Sequence, residues 1–133
     1  MKSIKIILIT LLVSFSFESR LFAKPDAAAV LEKELRKPGY LPETIAIGTN
    51  TDPYQPVESS RRISREVLKV LSKFNHPTVI VTKSHLILRD LDILASMAER
   101  DLLSVGVSVT TLERRLSRIM EPRAPTPQRR LET

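Results

Sequence analysis

Two kinds of hydrophobic pattern alternate along the chain. Short runs of apolar and β-branched residues predict three strands, at positions 44–47, 78–82 and 103–109. Around these runs, apolar residues recur every three or four positions, which predicts helices that each bury one face. Because strands that alternate with helical crossovers form parallel sheets, the pattern predicts an α/β fold with three parallel strands.

The predicted helices are defined by their apolar stripes and by the residues at their ends. Pro25 and Asp26 favour the start of the first helix, over 27–35, and Pro38-Gly39 its end. The stripes of the later helices are Ile63, Val67, Val70, Leu71 and Phe74; Ile87, Leu91, Leu94 and Ala98, with Leu88 and Met97 beside them; and Leu112, Leu116, Ile119 and Met120.

Three finer expectations follow from local sequence. Thr110 and Glu113 have the spacing of a capping box at the start of the last helix. The tail from Glu121 carries several prolines and charges, and is predicted to be irregular. The strand at 78–82 is continuously β-branched or apolar, which predicts that it is covered on both faces.

Polar residues follow all three predicted strands. They are Gly48-Thr49-Asn50, Thr82-Lys83-Ser84 and Ser108-Val109-Thr110. Parallel strands bring their carboxyl ends to one edge of the sheet, where α/β folds bind ligands. The stretch from Gly48 to Glu58 is the most distinctive of these, because it combines hydrogen-bonding side chains with stiffening prolines. The alternative interpretation is that polar residues simply end these strands.

Composition narrows the chemistry. The 133 residues contain no Cys, which excludes disulfides, thiolate zinc sites and Cys-ligated iron–sulfur clusters. His76 and His85 are interpreted as a loop residue and a helix-start residue, and no metal site is predicted. The net charge of +6 permits a nucleic-acid interface, although aromatic residues are only 5% of the chain. Its candidate residues are Arg61, Arg62, Arg65, Arg114, Arg115, Arg118, Arg129 and Arg130, and the alternative is that they are solvated helix faces.

Residues 1–17 differ from the rest of the chain. Lys2 and Lys5 precede an apolar stretch from Ile6 to Phe17, which is typical of a secretory signal but shorter than a spanning helix requires. Leu21 does not suit the cleavage site that would follow Ala23. We therefore expect a cytoplasmic domain preceded by an aberrant apolar start. A secreted protein, or one tethered to a membrane through residues 1–17, is the alternative.

Seven segments in unbroken order resemble the photolyase-like branch of the radical S-adenosylmethionine superfamily, which is related to spore photoproduct lyase. The resemblance covers residues 18–133. Its most specific part is Gly48-Thr49-Asn50-Thr51-Asp52-Pro53-Tyr54-Gln55-Pro56. The other segments are 18–28, Phe74-Asn75-His76-Pro77, Val81-Thr82-Lys83-Ser84, Leu88-Arg89-Asp90-Leu91-Asp92, Ser108-Val109-Thr110-Thr111-Leu112 and Met120-Glu121-Pro122-Arg123-Ala124-Pro125.

The resemblance implies a partial (β/α)6 barrel that binds S-adenosylmethionine at the carboxyl ends of its strands. In this family, a Cys-x3-Cys-x2-Cys loop holds a [4Fe–4S] cluster, whose electron cleaves S-adenosylmethionine to a 5′-deoxyadenosyl radical. By similarity, the loop after the first predicted strand would hold the methionine amino group, and the later strand ends would contact ribose or carboxylate. The implied cofactor-binding residues are Gly48, Thr49, Asn50, Thr51, Asp52, Thr82, Lys83, Ser108, Thr110 and Arg123.

The chain departs from this family in having no Cys, so it cannot itself hold the cluster. We expect a truncated barrel fragment with a vestigial cofactor edge, no catalytic residue and no turnover alone. Two forms of this expectation stay open: the product of a decayed gene, or one piece of a split enzyme whose companion fragment carries the cysteine loop. A small basic nucleic-acid-binding module or an exported binding module is the alternative function.

Overall fold

The computed structural model describes residues 24–133. The first helix, α1, spans Ala27–Leu35 and buries Ala27, Leu31 and Leu35. This four-residue spacing places all three on one helix face. The helix predicted over 27–35 is therefore confirmed. The expectations for residues 1–17 concern positions that lie outside the described part of the chain.

Three parallel strands form the sheet. They are β1 (Ile45–Ile47), β2 (Thr78–Thr82) and β3 (Leu103–Val107), in the order β1-β2-β3. In the register, Ile47 pairs with Ile80 and Thr82 with Val107. The predicted α/β fold with three parallel strands is confirmed, although β3 ends at Val107 and not at Val109.

Helices make the crossovers between the strands. After β1 come α2 (Glu58–Arg61) and α3 (Ile63–Lys73); after β2 come a 3-10 helix (His85–Asp90) and α4 (Leu91–Ala98). The predicted α3 stripe is buried, except that Phe74 ends the helix and is half-buried. On α4, Leu94 and Met97 are buried, whereas the predicted stripe residues Leu91 and Ala98 are exposed.

The core lies between the helices and one face of the sheet. Thr78, Ile80 and Thr82 of β2 are buried, whereas Val79 is half-buried and Val81 is exposed. Such alternation is the signature of a strand with one covered face, since successive side chains point to opposite sides. The expectation that β2 is covered on both faces is therefore wrong for the described residues.

The segment after β3 differs most from expectation. Helix α5 spans Arg114–Met120, and its start is flanked by Glu113, which makes no side-chain capping bond, so the predicted capping box is wrong. The residues predicted to be its buried face are exposed, and Ser117 is buried in their place. The exposed residues are Leu112, Leu116, Ile119 and Met120.

The predicted irregular tail contains a further helix, α6 (Pro127–Leu131). Thr126 caps its start by accepting a hydrogen bond from the Arg129 N–H, and Pro127 occupies the first turn, where its missing N–H costs nothing. Across the described residues, no helix combines the length and the apolar character needed to cross a membrane.

Candidate functional site at the carboxyl edge of the sheet

The three strand ends converge at one edge, as the alternation of strands and helices predicts. The Ser108 N–H donates to the carbonyl of Thr82 at 2.8 Å, which extends the β2–β3 ladder past the end of β3. Asp52, in the loop after β1, joins that loop to the end of β2. Residues from all three predicted polar strand ends therefore meet along this edge.

Gly48 turns the chain out of β1. Its φ is +93°, and a Cβ built there would lie 1.9 Å from the carbonyl oxygen of Val81 on β2. No side chain fits at that distance, and a φ in this range strains any residue other than glycine. The family resemblance implies that Gly48 contacts the cofactor, but the close approach of its backbone in the structure is to the neighbouring strand.

Asp52 anchors the loop. Its Oδ1 accepts hydrogen bonds from the Tyr54 N–H at 2.9 Å and the Thr82 hydroxyl at 2.7 Å, and its Oδ2 accepts one from the Lys83 N–H at 2.7 Å. Bonds to a carboxylate are stronger than neutral ones, so three of them fix the loop geometry. Asp52 and Thr82, both predicted cofactor contacts, are thus engaged with each other.

The tip of the loop presents Thr49 and Asn50 to solvent, while Thr51 is half-buried. Residues 48–51 also line a pocket whose other walls are mainly apolar side chains from α1, β1 and α3, among them Ala27, Ile47 and Val67. Apolar walls with a few placed polar groups are typical of small-ligand sites.

A buried ionic cluster around Asp90 stabilises the same loop through Tyr54. The hydroxyl of buried Tyr54 donates to Oδ2 of Asp90 at 3.1 Å, and Asp90 is fully buried. Arg65 donates to Asp90 Oδ1 at 3.0 Å, and Arg89 donates to both Asp90 oxygens at 2.9 Å. Burial raises the pKa of Asp90, but the bonds from Arg89 and Arg65 outweigh it and leave the pKa below its usual value.

The sequence interpretation missed this cluster. Tyr54 and Asp90 are 36 residues apart, so no local pattern joins them. The available signal was that both belong to the segments that carry the family resemblance. Burial, followed by the neighbouring Asp90 charge, raises the pKa of Tyr54, so its hydroxyl stays protonated and can donate.

Glu58 fixes the start of α3, which follows the loop. Its two carboxylate oxygens accept hydrogen bonds from the Ile63 N–H at 3.0 Å and the Ser64 N–H at 3.1 Å. These are first-turn N–H groups without partners in their own helix, and the helix dipole favours a negative charge there. The loop between β1 and α3 is thus held at Gly48, Asp52, Tyr54 and Glu58.

A second ionic group covers the β3 side of the edge. Glu121 accepts hydrogen bonds from the Nζ of Lys83 and, at 2.6 Å, from Nη2 of Arg130, whose Nη1 donates to the Ser108 carbonyl at 3.2 Å. Burial raises the pKa of Glu121, but the bonds from Lys83, Arg130 and Thr110 prevail and lower it to about 2.

This group changes the interpretation of several predicted cofactor contacts. Lys83 is paired with Glu121, Thr110 interacts with the same carboxylate, and the Ser108 carbonyl is bonded to Arg130. Arg123 is exposed between α5 and α6. Among the predicted contacts, Thr49, Asn50, Thr110 and Arg123 are exposed, and the first two form the tip of the β1 loop.

The predicted nucleic-acid surface is smaller than the sequence indicates. Arg65 is paired with Asp90 and Asp92, and Arg130 is buried against Glu121. Ion-paired guanidinium groups are poorly available to phosphates, so both residues are removed from the candidate surface. The remaining arginines of that set are exposed on α2, α5 and α6 and at position 62.

Comparison with known proteins gives relatives but no activity. The chain is 40% identical over 115 residues to an uncharacterized protein of Mycobacterium tuberculosis (strain H37Rv), a match that covers 86% of this chain and 34% of that protein. An uncharacterized protein of Methanocaldococcus jannaschii is 28% identical over 99 residues, covering 74% of this chain and 37% of its own length. The chain spans about a third of the length of these curated relatives. No protein-family model and no solved structure matches it.

Proposed function

We propose that this chain is the S-adenosylmethionine-binding part of a barrel of the radical S-adenosylmethionine type, and that it performs no radical chemistry alone. The observation that carries the proposal is that the β1 loop has fixed ends and an exposed polar tip. Gly48 and Asp52 are fixed by contacts to β2, while Thr49 and Asn50 between them are exposed beside a mainly apolar pocket.

The chemistry of the loop suits the methionine end of S-adenosylmethionine. An ammonium group requires acceptors, and the Thr49 hydroxyl and the Asn50 amide oxygen are acceptors at the loop tip. The apolar side of the pocket is compatible with the less polar parts of the ligand. To bind the ligand carboxylate, Lys83 would have to break its ion pair with Glu121.

The iron–sulfur cluster of the family does not fit this chain. The sequence offers no thiolate, and no step can be assigned to a cluster here. We assign the cysteine loop to a companion chain. In this assignment the companion supplies the cluster ligands, and the described chain supplies the edge that binds S-adenosylmethionine. Anaerobic reconstitution of the lone chain that gave stoichiometric iron and sulfide, together with 5′-deoxyadenosine, would contradict this assignment.

Calorimetric titration of the full chain with S-adenosylmethionine tests the binding site. Thr49→Val keeps the shape of the side chain and removes its hydroxyl, so we expect affinity to fall about tenfold, as for the loss of one hydrogen bond to a charged group. Ser96→Ala removes an exposed hydroxyl from α4, in the half of that helix remote from the strand ends, and should leave affinity unchanged. Absence of binding by the folded chain would overturn the proposal.

We place this function in the cytoplasm. Fractionation of cells that express the full chain or a version lacking residues 1–17 tests that location. Export of a reporter that depended on residues 1–17 would favour the exported alternative.

A further inference from the structure

Glu121 occupies a site that holds its carboxylate through three side chains. Its Oε1 accepts a hydrogen bond from the Nζ of Lys83 at the end of β2, and its Oε2 accepts one from Nη2 of Arg130 on α6 at 2.6 Å. The Thr110 side chain also bonds to this carboxylate. We call Lys83, Arg130 and Thr110 the carboxylate site. Hydrogen bonds from charged donors to a carboxylate are stronger than neutral ones, so the site favours an anion over a neutral group.

The two cations of the carboxylate site differ in exposure. The Arg130 side chain is 1% exposed, and its guanidinium group also donates to the carbonyls of Pro125 and Ser108, at 2.9 and 3.2 Å. The Lys83 side chain is 40% exposed. Arg130 is thus the fixed part of the site, whereas a second carboxylate can approach the ammonium group of Lys83 from solvent.

The carboxylate site adjoins the loop proposed to bind the ligand. The backbone N–H of Lys83 donates to Oδ2 of Asp52 at 2.7 Å, and Asp52 belongs to the same loop as the exposed Asn50. A ligand with its ammonium group at the loop tip therefore has the Lys83 ammonium group at the adjoining strand end for its carboxylate. There the ligand carboxylate meets the carboxylate of Glu121, and neighbouring like charges oppose binding.

We propose that Glu121 is an internal competitor for the carboxylate of the ligand, so that the chain binds S-adenosylmethionine weakly until Glu121 releases Lys83. The identity of the ligand rests on the proposed function, whereas the chemistry of the site rests on Glu121, whose own carboxylate fits it. Acid does not release Lys83 near neutral pH, because Glu121 keeps its charge down to a pKa of about 2. The ligand carboxylate itself, or loss of the charge at position 121, frees Lys83.

Calorimetric titration of the full chain with S-adenosylmethionine at pH 7 tests the competition. Glu121→Gln keeps the shape of the side chain and removes its charge, so we expect affinity to rise about tenfold. Long-range electrostatics alone predicts a fall, because the ligand has a net positive charge and the substitution removes a negative one. Glu113→Gln, at an exposed position before α5, is the matched control and should leave affinity unchanged. Unchanged or lower affinity in folded Glu121→Gln would overturn the proposal.

Decarboxylated S-adenosylmethionine shows whether the gain comes from the ligand carboxylate. It lacks only that group, so its affinity should not rise in Glu121→Gln. Adding Lys83→Met to Glu121→Gln should abolish the gain for S-adenosylmethionine. An equal gain for both ligands would mean that the substitution only opens the edge, and the competition would be refuted.

A second variant keeps the test independent of the stability of Glu121→Gln. Glu121→Asp retains a charge beside buried Arg130 but is shorter, which withdraws its carboxylate from Lys83, and a smaller rise in affinity is expected. Circular dichroism verifies that each variant is folded. No rise in folded Glu121→Asp, in the absence of a folded Glu121→Gln, would also overturn the proposal.

Sodium acetate provides a readout that does not depend on the proposed function. Titration at constant ionic strength, followed by the backbone amide shifts of Lys83 and Thr110, should give saturable changes in Glu121→Gln and much smaller ones in the wild type. Saturable acetate binding without binding of S-adenosylmethionine by any variant would contradict the proposed function and still support the competition by Glu121. Equal responses of the two proteins, or no saturable response in folded Glu121→Gln, would refute the carboxylate site.

Discussion

Single residues decide the geometry of the candidate site before any ligand is considered. Gly48 is required because the Val81 carbonyl leaves no room for a Cβ, and Asp52 accepts two hydrogen bonds from the end of β2 and one from Tyr54 within the loop. Both are predicted cofactor contacts, but in the structure both have a structural role that does not depend on a cofactor. At the loop tip, the residues with exposed side chains are Thr49 and Asn50. Residue type alone therefore does not distinguish residues that stabilise this edge, such as Gly48 and Asp52, from residues that are free to contact a ligand there, such as Thr49 and Asn50.

The two positive-φ glycines allow a matched test of this point. Gly48→Ala should lower the free energy of unfolding by about 2–4 kcal/mol, because the new Cβ collides with the Val81 backbone in addition to straining φ. Gly39→Ala, at φ +78° with open space around it, should cost about 1 kcal/mol from conformational strain alone. Urea denaturation of both variants measures the difference. Equal losses would show that the contact with Val81 is unimportant.

At the scale of elements, the local hydrophobic pattern is sufficient to predict an element where that element buries its apolar residues in the common core. Helix α1 and the buried side of α3 follow from periodicity, because their apolar residues meet the common core; strand β2 follows from its run of β-branched residues, which did not predict that only one face is covered. The stripe at Leu116, Ile119 and Met120 predicts a helix equally well, but these side chains are exposed among the described residues. Periodicity identifies an apolar face, whereas tertiary structure determines whether that face is buried.

None of the ion pairs between elements was predicted from the sequence. Asp90, at the end of the 3-10 helix, joins Arg65 of α3 and Tyr54 of the loop across long separations in the chain. Similarly, Arg130 was interpreted as part of a basic surface until α6 placed it against Glu121. Charged residues at regular positions look alike in sequence, and only the packing of distant elements distinguishes a solvated arginine from a buried one.

The Asp90 cluster makes a testable prediction because Arg65 has two carboxylate partners. Asp90→Asn leaves two partly buried guanidinium groups without their common counter-charge, and should destabilise the protein by about 2–4 kcal/mol. Asp92→Asn breaks the other pair of Arg65, but Asp92 is 61% exposed, so a much smaller loss is expected. Thermal and urea denaturation at neutral pH compare the variants. Losses of similar size would mean that burial does not distinguish the two pairs.

On the scale of the whole molecule, one carboxylate links the C-terminal segment to the sheet edge. Glu121 connects Lys83 at the end of β2 with Arg130 of α6, and α6 also bonds the Ser108 carbonyl after β3. This link is ionic, in contrast to the apolar packing of α1, α3 and α4, although α6 also buries the side chain of Pro127. Acid should therefore loosen the C-terminal segment without directly disturbing the packing of the apolar core.

The depressed pKa of Glu121 determines the pH range of this effect. Its ordinary value of 4.5 applies to the unfolded chain, and its folded value is about 2. The unfolded state thus binds more protons between these values, so the Glu121 contribution is complete above pH 4.5 and is lost as pH falls toward 2. We expect about 2 kcal/mol of pH-dependent stability from this group, reduced by the partial exposure of Lys83.

Urea denaturation at pH 7, 4 and 3 measures this contribution in the wild type and in Glu121→Gln, which keeps the shape of the side chain but cannot titrate. The difference between the two proteins should be largest at pH 7 and should shrink as pH falls. Glu113→Gln, at an exposed position before α5, is the matched control and should follow the wild type throughout. Asp90 and Asp92 also have lowered pKa values and remain in both proteins, so the wild type and Glu121→Gln should share their acid destabilisation. Parallel curves for these two proteins would place the acid sensitivity in carboxylates that both retain, such as Asp90, Asp92 and Glu32, and would leave the C-terminal attachment independent of the charge on Glu121.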